Sequence, residues 1–363
     1  METEIKKVSL HEVHQALGAK IVPFAGYYMP VRYSSDLEEH RTVRQAVGIF
    51  AVSHMGEFLV RGPQALDLIQ RVTSNDASRL TPGKVQYSCL PNERGGIVDD
   101  LLVYRLGEEE YLLVVNASNL EKDWNWIQQY KTEGVELEDI SDQTSLFAVQ
   151  GPKAADALQS LTTIDLTRMA YYTFEQGTFA GVPDVLVSAT GYTGAGGFEI
   201  YVPNASARLV WDNIMEAGEP YGIKAIGLGA RDTLRLEMGF SLYGNDINDT
   251  TSPLEAGLGW ITKLNKDFVG VELLRAQKEA GVARKLVGFE MVEQGIPRAH
   301  YKITDAEGSP IGEVTSGTMS PSLGKGIGMG YVPTAFSPPG SDLYIRIRNK
   351  LVKAQVVKMP FLK

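Results

Sequence analysis

Residues 95–103 read Gly-Gly-Ile-Val-Asp-Asp-Leu-Leu-Val. Two adjacent carboxylates, Asp99 and Asp100, interrupt a run that otherwise has the composition of a buried strand. A strand turns successive side chains to opposite faces, so the two acids must point apart. Burying a carboxylate costs several kcal/mol, roughly, unless something pairs with it. That cost is tolerated where chemistry or ligand binding uses the charge. Two plainer readings stand beside this one: an edge strand carrying two solvated acids, or a turn acid capping a helix.

Working outward, strand-like runs fall at 57–61, 97–105, 111–116, 145–149, 184–189 and 197–202. Helical patterns lie near 36–47, 63–73, 119–130, 152–161, 206–217 and 228–238. Two stretches resemble each other. Val60-Arg61-Gly62-Pro63-Gln64-Ala65-Leu66-Asp67 continues to Gln70 and Thr73, and Val149-Gln150-Gly151-Pro152-Lys153-Ala154-Ala155-Asp156 continues to Gln159 and Thr162. Each reads as a strand, a glycine turn and a helix with proline in its first turn. The shared spacings point to an internal duplication of an α+β unit. From about residue 284 the texture changes to short β-rich runs at 284–292, 310–316, 326–333, 342–348 and 351–358. That predicts a small all-β barrel or sandwich, with a boundary near Lys278-Glu279-Ala280-Gly281.

Composition bounds the function. The chain has 363 residues, 44% hydrophobic and 22% charged, the balance of an ordinary globular protein. A net charge of −9 disfavours a general nucleic-acid binder, which needs a basic face. Cys89 is the only cysteine, so an intramolecular disulfide and a thiolate metal cluster are both excluded. The first residues, Met-Glu-Thr-Glu-Ile-Lys-Lys, carry no apolar targeting core, and no apolar run approaches the ~20 residues of a membrane span. A cytoplasmic protein with no membrane association is expected.

Several further segments occur in order. They include Gly18-Ala19-Lys20 with Phe24-Ala25-Gly26, Val52-Ser53-His54-Met55-Gly56-Glu57-Phe58, Thr73-Ser74-Asn75-Asp76, Tyr87-Ser88 and Val115-Asn116-Ala117-Ser118-Asn119. Later come Gly191-Tyr192-Thr193-Gly194 with Gly197-Phe198-Glu199, Gly227-Leu228-Gly229-Ala230-Arg231-Asp232 and Leu264-Asn265-Lys266-Asp267-Phe268-Val269-Gly270. Thr315-Ser316-Gly317 and Ser320-Pro321 close the series. Together they resemble, over nearly the whole chain, the T-protein family of the glycine cleavage system, the tetrahydrofolate-dependent aminomethyltransferases.

The resemblance implies an α+β, three-lobed cloverleaf fold with a small C-terminal β-barrel. Residues 1–280 would form two intertwined α+β lobes around a central folate channel, and 281–363 the barrel. It implies a substrate carried on the lipoyl arm of the H protein, tetrahydrofolate as co-substrate, no metal, and P and L proteins as functional partners. The aminomethyl carbon would pass to N5 of folate with loss of ammonia, and N10 would close the ring of 5,10-methylenetetrahydrofolate. Such a carbon needs a nearby negative charge, and protons must move among amines. The family pattern gives that place to Asp100 and leaves Asp99 structural.

Glu199 would meet the pterin's exocyclic amine and ring N–H, donors that a carboxylate accepts in parallel. Arg231 would take the glutamyl carboxylates with its fork. Met55, Tyr87, Tyr192 and Trp260, with Asn116 and Tyr171 beside them, match positions that line the folate channel, where flat walls suit the rings. His54 and Cys89 read as structural. The loop 191–197 lacks the Lys-Ser/Thr of a phosphate-binding loop and reads as a tight turn that lets backbone approach a ligand. Three places depart from the family: Ala51 and Pro23 stand where aspartate is usual, and Ala195 and Gly196 replace acids. Two other readings share these motifs. One is the folate module of sarcosine or dimethylglycine demethylation, for whose flavin domain the chain has no room. The other is a non-enzymatic folate-binding protein assisting iron–sulfur or RNA-modification pathways, whose Lys-Gly-Cys-Tyr motif is missing here.

Overall fold

The computed structural model describes residues 5–362; Met1 to Glu4, part of the stretch read above for targeting signals, and Lys363 lie outside the described residues. Among the described residues no helix is long and apolar enough to cross a membrane. The chain divides into two compact units. The first takes Met1–Ile69, Ala77–Tyr87 and Leu101–Asp232, and the second Gln70–Asp76, Ser88–Asp100 and Thr233–Lys363.

In the first unit a six-stranded sheet runs in the order Phe174–Phe179, Val182–Ser188, Gly197–Pro203, Thr144–Gln150, Gly48–Ala51 and Lys224–Ala225. Phe198, Ile200 and Val202 enter an apolar core with Phe147, Val149, Val187 and, from the helix Ala207–Gly218, Trp211 and Ile214. Alternation therefore turns Glu199 and Tyr201 to the other face of the sheet. Ala51, where the resemblance led to an expectation of aspartate, lies inside this core beside its ladder partner Phe147. An apolar side chain is at home there.

A five-stranded sheet follows the order Lys84–Pro91, Ile97–Arg105, Glu110–Val115, Gly56–Arg61, Glu136–Asp139. The chain passes from one unit to the other inside its first two strands, after Tyr87 and after Asp100. One face of Gly56–Arg61 is covered by the helix Leu120–Gln129: a Cβ on Gly56 would overlap Leu120, and the Phe58 ring lies 5.1 Å from Trp124.

The two similar stretches fold alike. Gly56–Arg61 leads through Gly62 to the helix Ala65–Val72, and Thr144–Gln150 leads through Gly151 to Ala154–Leu158. Both glycines have left-handed φ, +110° and +135°, and a Cβ on either would overlap a carbonyl oxygen. The prolines sit in the turns before the helices rather than in their first turns.

The second unit contains a closed six-stranded barrel in the order Arg284–Met291, Gly326–Pro333, Pro310–Met319, Lys302–Thr304, Asp342–Ile347 and Lys350–Val357. Phe289, Ile303, Val314, Leu343, Ile345, Ala354 and Val356 fill it. Closure settles the choice between barrel and sandwich. The fold class is therefore α+β with a small C-terminal β-barrel, as the sequence implied.

Buried polar groups join the barrel to the C-terminal half of the helix Leu228–Glu237. The Arg235 guanidinium, 1% exposed, donates to Asp246 Oδ2 at 2.7 Å, to the Phe240 carbonyl at 2.9 Å and to Ser316 Oγ at 2.8 Å. Thr315 and Ser316 donate to Asp246 as well. Glu237 accepts from the hydroxyls of Ser320 and Ser322. The motifs Thr315-Ser316-Gly317 and Ser320-Pro321 thus serve as partners for buried charges.

Candidate functional site

The strand Ile97–Arg105 stands second in its sheet, so the edge-strand reading of the two aspartates does not hold. Its odd positions Asp99, Leu101 and Val103 are buried, whereas Asp100 and Leu102 are half-buried. Asp99 is 0% exposed. The pleat thus sends one acid into covered interior and the other to a more open side. What precedes the strand fixes it. A Cβ on Gly96 would overlap the Asp249 carbonyl oxygen, Ile97 N–H donates to the Asn248 carbonyl at 3.1 Å, and the Tyr243 hydroxyl donates to the Ile97 carbonyl at 3.0 Å. Cys89 is buried, and burial, then the charges of Asp100 and Asp99, push its thiol well above the usual range. It is packing rather than a nucleophile.

Glu199 is buried in the first unit, with its carboxylate at the end of a hydroxyl chain. Thr190 Oγ1 donates to Glu199 Oε2. Its one hydrogen spent, Thr190 must accept from both Ser188 Oγ, 2.8 Å away, and Tyr104 OH, 3.2 Å away. Tyr104 in turn accepts from Tyr201 OH at 3.0 Å. Burial raises the Glu199 carboxyl above its ordinary value; the Thr190 hydrogen bond and the Arg231 charge oppose that. A carboxylate held this way is an acceptor facing away from the apolar core, with Thr190 on one oxygen.

Arg231 rises from the helix Leu228–Glu237, whose entry carries glycines at 227 and 229 for a steric reason. A Cβ on Gly227 would overlap Val31 and one on Gly229 would overlap Asp36, while Gly227 N–H donates to Glu39 Oε2 at 2.7 Å. The Arg231 guanidinium lies 4.7 Å from the centroid of the Tyr192 ring, a cation–π contact. Its charge, after burial, also holds His54 down to about 3. Neutral across the working range, His54 packs 5.8 Å from the Phe24 ring, in keeping with a structural role. The Tyr171 hydroxyl is pushed up by burial and then by the Glu199 charge, although the residue as a whole is 62% exposed.

The structure thus brings Glu199, Arg231, Tyr192 and Tyr171 into one electrostatic neighbourhood of the first unit. Met55 precedes Gly56 and Asn116 follows Val115, and Gly56 pairs with Val115, so Met55 and Asn116 flank one rung of the five-stranded sheet. Both are half-buried, as is Tyr87. In the second unit Trp260 sits in a short turn and is 63% exposed. Among the described residues no cluster of three His, Cys, Asp or Glu side chains could hold a metal. Gly191 is small because a Cβ would overlap the Gln150 amide, so the close approach there is made by the protein's own side chain. Gln150 accepts from Thr193 Oγ1 at 2.8 Å and donates to the Thr190 carbonyl at 3.1 Å, which locks the loop.

Sequence models of the GCVT N-terminal domain and of the glycine cleavage T-protein C-terminal barrel domain match residues 10–266 and 284–363. The chain belongs to the glycine cleavage T-protein family. The aminomethyltransferase of Flavobacterium psychrophilum is 64% identical over 99% of this chain and all of its own length. That of Bacteroides fragilis is 60% identical over 99% and 100%. The crystal structure of glycine cleavage system aminomethyltransferase T from Bartonella henselae matches with a TM-score of 0.92 at 34% identity, over 99% of this chain and 98% of that one. This T-protein family member is therefore an enzyme, an aminomethyltransferase of the glycine cleavage system. Sequence reasoning had named the acids and aromatics of the T-protein pattern. It passed over Thr190, which holds Glu199, and Glu57 and Arg235, whose burial no local pattern signals.

Proposed function

We propose that the protein transfers the one-carbon unit from the aminomethyl-dihydrolipoyl arm of lipoylated H protein to tetrahydrofolate, in the cytoplasm and alongside P and L proteins. The products are 5,10-methylenetetrahydrofolate, ammonia and dihydrolipoyl H protein. Residues 1–280 carry the folate site and 281–363 the barrel domain. The observation that carries this reading is Glu199, a buried carboxylate with one oxygen on Thr190 and Arg231 nearby. Such a group suits the amine and N–H edge of a pterin.

Arg231 takes the glutamyl carboxylates, and Met55, Tyr87, Asn116, Tyr171, Tyr192 and Trp260 line the rings. Asp100 supplies the negative charge beside the transferred carbon and steadies the protons of the folate nitrogens. Tetrahydrofolate binding is expected in the micromolar range, about −8 kcal/mol, measured by calorimetry. No heat of binding at ~1 mM ligand would remove the folate reading. Ammonia release from aminomethylated H protein, dependent on added tetrahydrofolate, tests the reaction itself.

A second prediction concerns recognition. Glu199→Gln keeps the shape but turns one acceptor into a donor facing pterin donors. Folate affinity is expected to fall by about 1–3 kcal/mol, the cost of leaving buried polar groups unmatched. Unchanged affinity would put Glu199 outside the pterin site.

A further inference from the structure

Glu57 is the second residue of the strand Gly56–Arg61 and is 1% exposed. Its main chain is satisfied: the N–H donates to Ser141 Oγ at 2.9 Å and the carbonyl accepts from Ile140 N–H at 3.0 Å. Its side chain is not. Neither carboxyl oxygen has a hydrogen-bond partner among the described residues. An unsatisfied buried polar group costs about 1–3 kcal/mol, more for a charged one, and the strand position would accept a valine without that loss.

The direction of the side chain is set by its neighbours. Gly56 and Phe58 face Leu120 and Trp124 of the covering helix, so alternation turns Glu57 to the opposite side of the sheet. There it bears on Glu199 and also on Tyr201, two residues that share one face of Gly197–Pro203. Tyr27 of the strand Tyr27–Arg32 feels it too, and Asp139 of Glu136–Asp139 acts on Glu57. Burial first, and then the negative charges of Asp139 and Glu199, raise the Glu57 carboxyl well above its ordinary value. Glu199, by contrast, has a hydroxyl donor and the Arg231 cation. Of two acids in one neighbourhood, the one without a donor or cation keeps its proton. Glu57 then offers an O–H to whatever meets it.

A pterin carries both kinds of group. Its amino group and N3–H are donors, the pair assigned above to Glu199. The 4-carbonyl oxygen and N1, which flank that edge, are acceptors. We propose that Glu57 is a second acid of the pterin site, neutral in the working enzyme, that donates its carboxyl hydrogen to an acceptor atom of the bound ring. This rests on the folate reading of Glu199. The two glutamates would read the ring in opposite protonation states, one accepting and one donating.

The test uses the full chain and tetrahydrofolate itself. The infrared difference spectrum between the wild type and Glu57→Gln at neutral pH should show the carbonyl stretch of a protonated carboxylic acid, and tetrahydrofolate should shift it. Glu57→Gln, which keeps an N–H donor, should bind tetrahydrofolate within about threefold of wild type, whereas Glu57→Leu should lose about tenfold or more. A protonated-acid band that folate leaves unmoved, no such band, or Glu57→Leu binding like wild type would overturn the proposal. Absence of tetrahydrofolate binding by the wild type would instead strike the folate reading on which it stands. The infrared measurement needs no folding-competent leucine variant.

Discussion

Asp100→Asn is expected to lower ammonia release from aminomethylated H protein by about 10²–10⁴-fold, the range for loss of a positioned acid–base or charge-stabilising group. The substitution keeps the shape and removes the charge. Folate affinity should change far less, because the lost interaction acts mainly in the transition state. The control is the neighbouring residue. Asp99 is wholly buried and lies on the opposite side of the same strand, so Asp99→Asn should leave turnover within about tenfold and act through stability. A dead Asp99→Asn enzyme beside an active Asp100→Asn enzyme would assign the reaction to the wrong side of the strand. Two active variants would remove the pair from the chemistry altogether.

The largest effect on stability is expected at Asp246. This carboxylate receives Arg235 Nη1 at 2.7 Å, the Leu242 N–H at 2.9 Å and the hydroxyls of Thr315 and Ser316, with both members of the ion pair shielded from solvent. Asp246→Ala leaves a buried guanidinium without its counter-charge, and breaking such a pair costs about 3–5 kcal/mol. Urea unfolding should show this as an earlier transition. Replacing Arg235 by Met in the same chain should recover part of the loss, because two apolar groups need no partner. A double variant no more stable than Asp246→Ala would mean that the ion pair itself is not what the aspartate supports.

Much of this molecule was legible before its structure. The strand Ile97–Arg105 announces itself by an apolar run with acids inside it, and the barrel strands by short β-rich runs between turns. Elements without such a pattern were passed over. Lys84–Pro91 mixes serine, cysteine and proline with its apolar residues, and Lys302–Thr304 is three residues long. The helix Val271–Ala280 stops at Gly281 with φ +80°, the stretch read from sequence as a domain boundary. Motifs gave the names of site residues but not their supports. Nothing local to Thr190 tells that its hydroxyl is committed to Glu199. Nothing local to Glu57 tells that its carboxyl meets no partner among the described residues, since both facts depend on strands brought together across the chain.

The interleaving of the two units has a consequence for how the polypeptide is made. Asp100 belongs to a unit whose remaining part begins only at Thr233 and runs to the C-terminus. At ribosomal rates of about 5–20 residues per second, roughly 7–30 s separate the emergence of the two. During that time the segment bearing the aspartate is out of the ribosome while the bulk of its unit is still untranslated. A nascent chain halted between Arg231 and the barrel holds Glu199 and Arg231 but lacks most of the unit that houses Asp100. Prematurely terminated products are therefore expected to be inert, so the reaction is withheld until synthesis is complete.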